Sequence, residues 1–454
     1  MITRHILTVR KADGSPPRKV HYRRCGKGPV LLMVHQSPRS SAEYEPLMEK
    51  WSKHFTCIAP DSPGFGQSDP LPLQDGALPD INAFADAVSE FIEALGIAPT
   101  LAYGFHSGAI ILMTALKRNP SRFRAIAMGG YAVWTQQEMA IFGEKYLPEF
   151  HPAPYGEHLA WLWHRVLEQS WFFPWFHTVD AARLPNAHAD TAVAQGWVDD
   201  FLEAGDAYRA GYGAVLRAPR DIPPSDNKVP PCLITAYDGD PLQPHIDRLG
   251  EMPTGWDAYK VTTPEEHHDV SLAFLREHSP GGDAGELPQD ENEGWIPVGD
   301  GLIHWKGERG AKLVLHAPAA QMGEPASGEL CIDAPGHGYS SDFSDMQAAV
   351  EAAAEALGAS GIEWPSSPTG DPDLLYPDLT PDRFGTHLHR AWAAAREEAF
   401  FTPWYEANRD HAIPVDQAAI VPAAIHARFL ARLRAGHAAR HWHDVLAAKV
   451  PPVG

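Results

Sequence analysis

The stretch Tyr103-Gly104-Phe105-His106-Ser107-Gly108-Ala109 sets one reactive side chain at its centre, with small residues two positions to either side. Thr100-Leu101-Ala102 before it is apolar, and Ile110 to Leu116 after it is an apolar helical run. Such spacing suits a sharp strand-to-helix turn, where a Cβ on either flank would clash. The central residue is His106. An imidazole titrates at about pH 6.5 and can serve as base or nucleophile near neutrality. Ser107 is the other candidate, but its flanks two positions away are Phe105 and Ala109. A phenylalanine at the crowded position disfavours it as the tip of the turn.

Two further groups stand at the ends of apolar runs. Pro231 to Tyr237 leads into Asp238-Gly239-Asp240-Pro241, and Trp256 to Val261 leads into Glu265-Glu266-His267-His268-Asp269. Asp240 suits a turn-former as well as a catalytic acid; Asp238 is its fallback. Of the two late histidines His268 is the favoured candidate, with His267 close behind. A metal-ligand set of His106, Asp240 and one late histidine lacks a supporting pattern around it, so no metal or organic cofactor is expected.

The elements that must hold these residues alternate. Ile2 to Val9 and Lys19 to Arg24 read as an opening hairpin, and Val30 to Val34 as a strand buried on both faces. Phe55 to Pro60, Thr100 to Ala102 and Phe123 to Met128 continue the sheet. Ile81, Phe84, Ala85, Val88, Phe91, Ile92 and Leu95 fall on one helical face. This rhythm implies a parallel sheet with right-handed crossovers. It stops from about Tyr131 to Pro224, an aromatic-rich helical stretch, and then resumes.

Residues 19 to 278 resemble the α/β-hydrolase superfamily. The resemblance rests on His35-Gln36-Ser37-Pro38, on Asp61-Ser62-Pro63-Gly64-Phe65-Gly66-Gln67-Ser68, on the turn at His106, on the Asp240 loop and on the late histidine pair. The first two motifs look most like the branch with haloalkane dehalogenases, epoxide hydrolases and carbon–carbon bond hydrolases. It implies a mostly parallel eight-stranded sheet with a helical cap. It also implies a nucleophile or base on the elbow, an acid after the seventh strand and a histidine after the eighth, with oxyanion donors at Ser107 and at Gln36 and Ser37. Two departures stand out: His106 replaces the usual Ser, Asp or Cys, and Gln36 replaces a glycine.

Past a Gly/Pro/acid-rich linker, the first half returns in degenerate form. Val20-His21-Tyr22-Arg23 reappears as Ile303-His304-Trp305-Lys306. Asp61, Pro63, Gly64, Gly66 and Ser68 reappear at one constant offset as Asp333, Pro335, Gly336, Gly338 and Ser340. In the cap, Gly156, His158, Leu159, Trp163 and Pro174-Trp175 reappear at a second constant offset as Gly385, His387, Leu388, Trp392 and Pro403-Trp404. The smaller second offset marks a deletion, and the deletion removes the elbow. The expected organisation is a core of residues 1–130 and 226–278, a cap of 131–225, a linker of 279–294 and a truncated, elbow-less repeat of 295–454. The repeat is expected to pack on the cap-like helices as a second subunit would, making the chain a pseudo-dimer; a homo-oligomer is the alternative. His35 persists as His316 in the elbow-less half, which argues for a structural hydrogen bond.

Of the cap aromatics, Trp163, Trp175 and Phe176 have counterparts and are assigned to packing. Trp161, Trp171, Phe172 and Trp197 are the candidate pocket walls, which would suit an apolar or aromatic substrate. The formal net charge of −21 over 454 residues argues against nucleic acid or anionic lipid as a partner. Four cysteines without a C-x-x-C pair, and no long apolar run, fit a cytoplasmic protein with reduced thiols. The reading is an enzyme that hydrolyses a small ester, activated acyl compound or carbon–carbon bond through His106, Asp240 and His268 or His267. The alternatives are a cofactor-free lyase or isomerase with His106 as general base, and a non-catalytic ligand-binding protein.

Overall fold

The computed structural model describes residues 1–10, 14–73, 76–142, 145–185 and 187–449. They divide into two compact units: Met1–Phe150 with Arg165–Ala189 and Gly196–Gln289, and His151–His164 with Asp190–Gln195 and Asp290–Gly454. The segment expected to form a separate cap is shared between the two. The expected linker ends slightly early, because a strand begins at Glu293.

The first unit is built on eight strands: β1 (Thr3–Val9), β2 (Arg18–Cys25), β3 (Val30–Val34), β4 (Thr56–Pro60), β5 (Thr100–Phe105), β6 (Phe123–Gly129), β7 (Cys232–Tyr237) and β8 (Trp256–Val261). Their order is β1-β2-β4-β3-β5-β6-β7-β8. β1 pairs antiparallel with β2, and β2 antiparallel with β4; every later pairing is parallel. The central strands are apolar on both faces, as a sheet covered on both sides requires. Helices α1 (Glu45–Trp51), α2 (Ile81–Leu95) and α3 (Ser107–Arg118) follow β3, β4 and β5. The segment between β6 and β7 carries α4 (Gln136–Phe142), α5 (Glu157–Gln169), α6 (Thr191–Ala204) and α7 (Tyr208–Arg217), and α8 (Pro264–Glu277) follows β8. Phe84, Phe91, Ile110, Leu112 and Val215 of α2, α3 and α7 form one apolar layer. Leu47, Met48, Trp51 and Leu275 of α1 and α8 form the other.

Asp61 organises the loop after β4. It accepts from the N–H and O–H of Ser41 at 2.8 and 2.5 Å, from the N–H of Gln67 at 2.9 Å, and lies 2.7 Å from His21 Nδ1. Burial works against its charge, but His21 and Arg23 beside it hold the carboxyl far below the usual range. His35 Nε2 accepts from the N–H of Ser62 at 2.8 Å, and its Nδ1 lies 2.8 Å from the carbonyl of Gln36.

The second unit has β9 (Glu293–Val298), β10 (Gly301–Gly307), β11 (Lys312–Val314), β12 (Glu329–Ile332) and β13 (Ile362–Glu363). From the β9 edge the order is β9-β10-β12-β11-β13. Two antiparallel pairings and then two parallel ones follow, the same path and senses as β1-β2-β4-β3-β5. Helices α9 (Met346–Leu357), α10 (Pro372–Leu375), α11 (Thr386–Glu397), α12 (Pro422–Ala435) and α13 (Ala438–Lys449) complete it. Asp333 accepts from Tyr339 N at 3.0 Å and lies 2.8 Å from His304 Nδ1. His316 Nε2 accepts from Ala334 N at 2.9 Å. β13 has two residues, and the first helix after it is α10, of four residues.

Within this unit, residues 151–164 and α11 meet reciprocally. The ring of His158 stands edge-on to Trp392 at 4.9 Å and 76°, and that of His387 to Trp163 at 5.2 Å and 80°. A Cβ on Gly156 would lie 2.9 Å from Trp392, and one on Gly385 2.6 Å from Trp163. Both glycines have positive φ, 82° and 70°. Among the described residues no helix is long and apolar enough to cross a membrane, and the four cysteines are free and buried.

Gly156→Ala and Gly385→Ala should each destabilise the second unit, by about 1–3 kcal/mol from strain and overpacking. Urea unfolding followed by tryptophan fluorescence measures this; a change confined to one of the two variants would contradict the reciprocal packing.

Candidate active site

β5 runs out at Phe105, the chain reverses at His106, and α3 starts at Ser107. His106 has φ 47° and ψ −108°, a conformation that costs a non-glycine residue about 1–3 kcal/mol. Close packing enforces it. A Cβ on Gly108 would sit 1.8 Å from the carbonyl oxygen of Val34, and one on Gly104 2.8 Å from Leu112 Cδ1. The N–H of His106 donates to Gly129 O at 2.9 Å, and its carbonyl accepts from Ile110 N at 3.2 Å, opening the helix.

The imidazole is fixed on two sides. Phe105 stacks on it at 4.1 Å and 20°. Nε2 lies 3.1 Å from each carboxylate oxygen of Asp240. Asp240 itself accepts from Leu242 N at 2.8 Å. Its side chain is wholly buried, whereas that of His106 is 26% exposed. Burial pushes the Asp240 carboxyl up, but the His106 ring and the Leu242 N–H outweigh it and hold the group below the ordinary carboxylate range. An ionised carboxylate only accepts, so Nε2 carries the proton and donates. Nδ1 of neutral His106 then keeps its lone pair. Gly130 makes room for the pair, since a Cβ there would lie 2.3 Å from His106 Cδ2.

Asp240 thus holds His106 directly, and the late histidines are engaged elsewhere. His267 is buried, with Nε2 2.8 Å from Tyr103 O–H and Nδ1 2.6 Å from Thr235 Oγ1. Burial, helped by His268, pushes it down to about 3. His268 stands edge-on to Trp51 at 6.4 Å and lines a separate cavity. Neither histidine hydrogen-bonds to the His106–Asp240 pair. They sit in the opening turns of α8, whose packing against β6 and β7 seats His267 among core groups. Asp238 is exposed and takes 2.7 Å contact from Gln243 Nε2.

The cavity at His106 measures about 50 Å³. Ser37 and Ser107 line it. Gln36 does not: its N–H and side-chain amide donate to Glu43 at 2.7 and 2.9 Å, so this expected oxyanion donor is already engaged. Among the described residues no group of three or more His, Cys, Asp or Glu is placed to hold a metal ion.

The expected walls are also corrected. Trp171 donates to His188 O at 2.6 Å, Phe172 bridges to Arg183, and Trp197 lies under Arg39 at 4.6 Å. Trp161, in the opening half of α5, belongs to the second unit. None of the four lines the cavity. Its aromatic walls are Trp134, Phe142, Tyr146, Phe173 and Tyr212. One signal was available for Phe173: beside the matched Pro174 and Pro403, it stands opposite Thr402.

Residues 29–144, a range that includes β3 to β6 and α4, match the family described as alpha/beta hydrolase fold. With the strand order, this establishes the α/β-hydrolase fold for the eight-stranded unit. Haloalkane dehalogenase 2 of Mycobacterium tuberculosis is 29% identical over 123 residues, 27% of this chain and 42% of that protein. 2-(Acetamidomethylene)succinate hydrolase of Mesorhizobium japonicum is 30% identical over 119 residues, 26% and 41% of the two chains. The chain thus spans about two fifths of the length of these curated relatives. Epoxide hydrolase A of Mycobacterium thermoresistibile aligns with TM-score 0.45 and 16% identity over 64% of this chain and all of that one.

The buried His267 makes stability depend on acid. Its folded pKa of about 3 lies below the ordinary 6.5, so the unfolded chain binds the extra proton first. The contribution is complete above about pH 6.5 and is lost as pH falls toward 3, at up to about 1.4 kcal/mol per unit. Urea midpoints should fall from pH 7 to 4, and His267→Gln should flatten that slope; an unchanged slope would contradict the buried neutral ring.

Proposed function

We propose that the first unit hydrolyses a small apolar or aromatic ester, activated acyl compound or carbon–carbon bond, with His106 as the working base. The observation that carries this is the bond from His106 Nε2 to both oxygens of Asp240, which leaves the Nδ1 lone pair on a partly exposed ring at the cavity. The names of the curated relatives, a dehalogenase and a hydrolase, support a hydrolytic class. The aromatic walls support an apolar substrate.

Nδ1 is the ring nitrogen nearer Cβ, more crowded than Nε2, and suits proton removal from water better than bonding to an acyl carbon. The resulting hydroxide attacks the carbonyl carbon. Charge grows on the carbonyl oxygen, where the N–H of Ser107, one of the first-turn donors a helix leaves without an internal acceptor, is suited to receive it with Ser37. The imidazolium, paired with ionised Asp240, returns its proton to the leaving group.

Residues 295–454 are read as a truncated, elbow-less repeat that carries no second centre. The matched strand path, the paired His35 and His316 bonds, and the reciprocal Trp163 and Trp392 contacts support that reading.

On a panel of aryl esters, β-diketones and haloalkanes, His106→Ala should lower kcat/KM by about 10³-fold or more. Asp240→Asn should lower kcat by on the order of 10²–10⁴-fold, through loss of the tautomer. Rapid quench with mass spectrometry should find no acyl adduct on His106. Hydrolysis undiminished in His106→Ala would overturn the proposal, and exchange of a substrate C–H with solvent without hydrolysis would favour the lyase.

A further inference from the structure

A second cavity of about 230 Å³ lies beside the first and is the larger of the two. Neighbouring residues divide between them. Gln36 lines the larger and Ser37 the smaller; Phe105 lines the larger and His106 the smaller. Because Phe105 stacks on His106 at 4.1 Å, its ring is a shared partition.

The larger cavity has an apolar and aromatic part formed by Tyr44, Leu47, Tyr103 and Phe105. Two of these present little polarity to a ligand. Tyr44 O–H donates to Val34 O at 2.9 Å, and Tyr103 O–H is 2.8 Å from His267 Nε2. Lys50, Tyr237 and His268 also line it. Among the described residues, no hydrogen-bond or ion-pair partner meets the Lys50 ammonium, the Tyr237 hydroxyl or the His268 ring nitrogens. One cation and two neutral hydrogen-bonding groups thus remain uncommitted on an aromatic-lined hollow. Glu43 is the one carboxylate in the lining, and its two oxygens already accept the Gln36 donors. Burial raises its pKa against the pull of Arg39.

We propose that this cavity binds a small organic carboxylate, its apolar body against Tyr44, Leu47 and Phe105 and its carboxylate met by Lys50, Tyr237 and His268. A concave apolar site with a few convergent polar groups is the usual form of a small-ligand site. Lys50 supplies the charge, and the hydroxyl supplies direction. An acid is also what ester or acyl hydrolysis releases, so the identification of the ligand as product rests on the hydrolase reading. The binding itself does not. The sequence placed His268 at the reacting centre; here it serves the neighbouring hollow across Phe105.

Calorimetric titration of the full chain with benzoate tests this without turnover. Saturable binding is expected. Lys50→Met and Tyr237→Phe should each weaken it about tenfold or more, and His106→Ala should leave it within about twofold. Benzyl alcohol and inorganic phosphate should bind far more weakly, the first lacking the charge and the second the apolar body. Four results would overturn the proposal: no saturable benzoate binding, binding lost in His106→Ala but kept in Lys50→Met, phosphate binding as tightly as benzoate, or alcohol binding as tightly as benzoate. Inactivity of His106→Ala or its absence bears only on the hydrolase reading.

Discussion

The contact between Asp240 and His106 Nε2 is the constraint on which the site depends. It joins the end of β7 to the end of β5 across β6, so the parallel register of three strands must be correct for it to form. The backbone at His106 accepts an unfavourable φ because Gly104 and Gly108 let α3 close onto β3. The ring is then stacked by Phe105 and held by two carboxylate oxygens. A flexible imidazole would be an indifferent base; one with a fixed plane and a fixed tautomer has its lone pair committed to a single nitrogen. Asp240 lies against His106 Nε2 through both carboxylate oxygens, a contact of the kind that fixes the tautomer of a histidine.

The second unit gives a comparison inside the same chain. The turn after β12 keeps an aspartate that organises it, Asp333, with a histidine against it and a backbone N–H from six residues on. The histidine after β11 keeps its bond to the backbone after β12. In the first unit Asp61, His21 and His35 make bonds of the same kind, and those bonds hold the loops after β3 and β4. These residues are buried and polar, and the fold needs them whether or not chemistry occurs nearby.

The strands of the first unit and their mostly parallel sheet were largely legible in the sequence, because apolar runs alternating with helical spacing leave local signatures. His106 and Asp240 each stand at the end of an apolar run, which made them candidates. Their partnership could not be named, because it depends on how far α8 carries His267 and His268 from the elbow. His267 lies in the core between Tyr103 and Thr235, contacts set by three separate elements. The cavity walls failed in a similar way. Trp171 and Trp197 satisfy themselves against His188 and Arg39, while Trp134, Tyr146 and Tyr212 converge from segments far apart in the chain. Glu43, which occupies both donors of Gln36, left no trace in the spacing at all.

The central claim is that Asp240 holds the Nε2–H form of His106 and leaves Nδ1 basic. Nitrogen NMR of protein labelled at histidine, with the His106 signals assigned by their loss in His106→Gln, reads this directly. The account predicts a protonated Nε2 and an unprotonated Nδ1 near neutral pH in the wild type, and a mixture of the two neutral forms in Asp240→Asn. A predominant Nδ1–H form in the wild type, or a spectrum unchanged by Asp240→Asn, would contradict it.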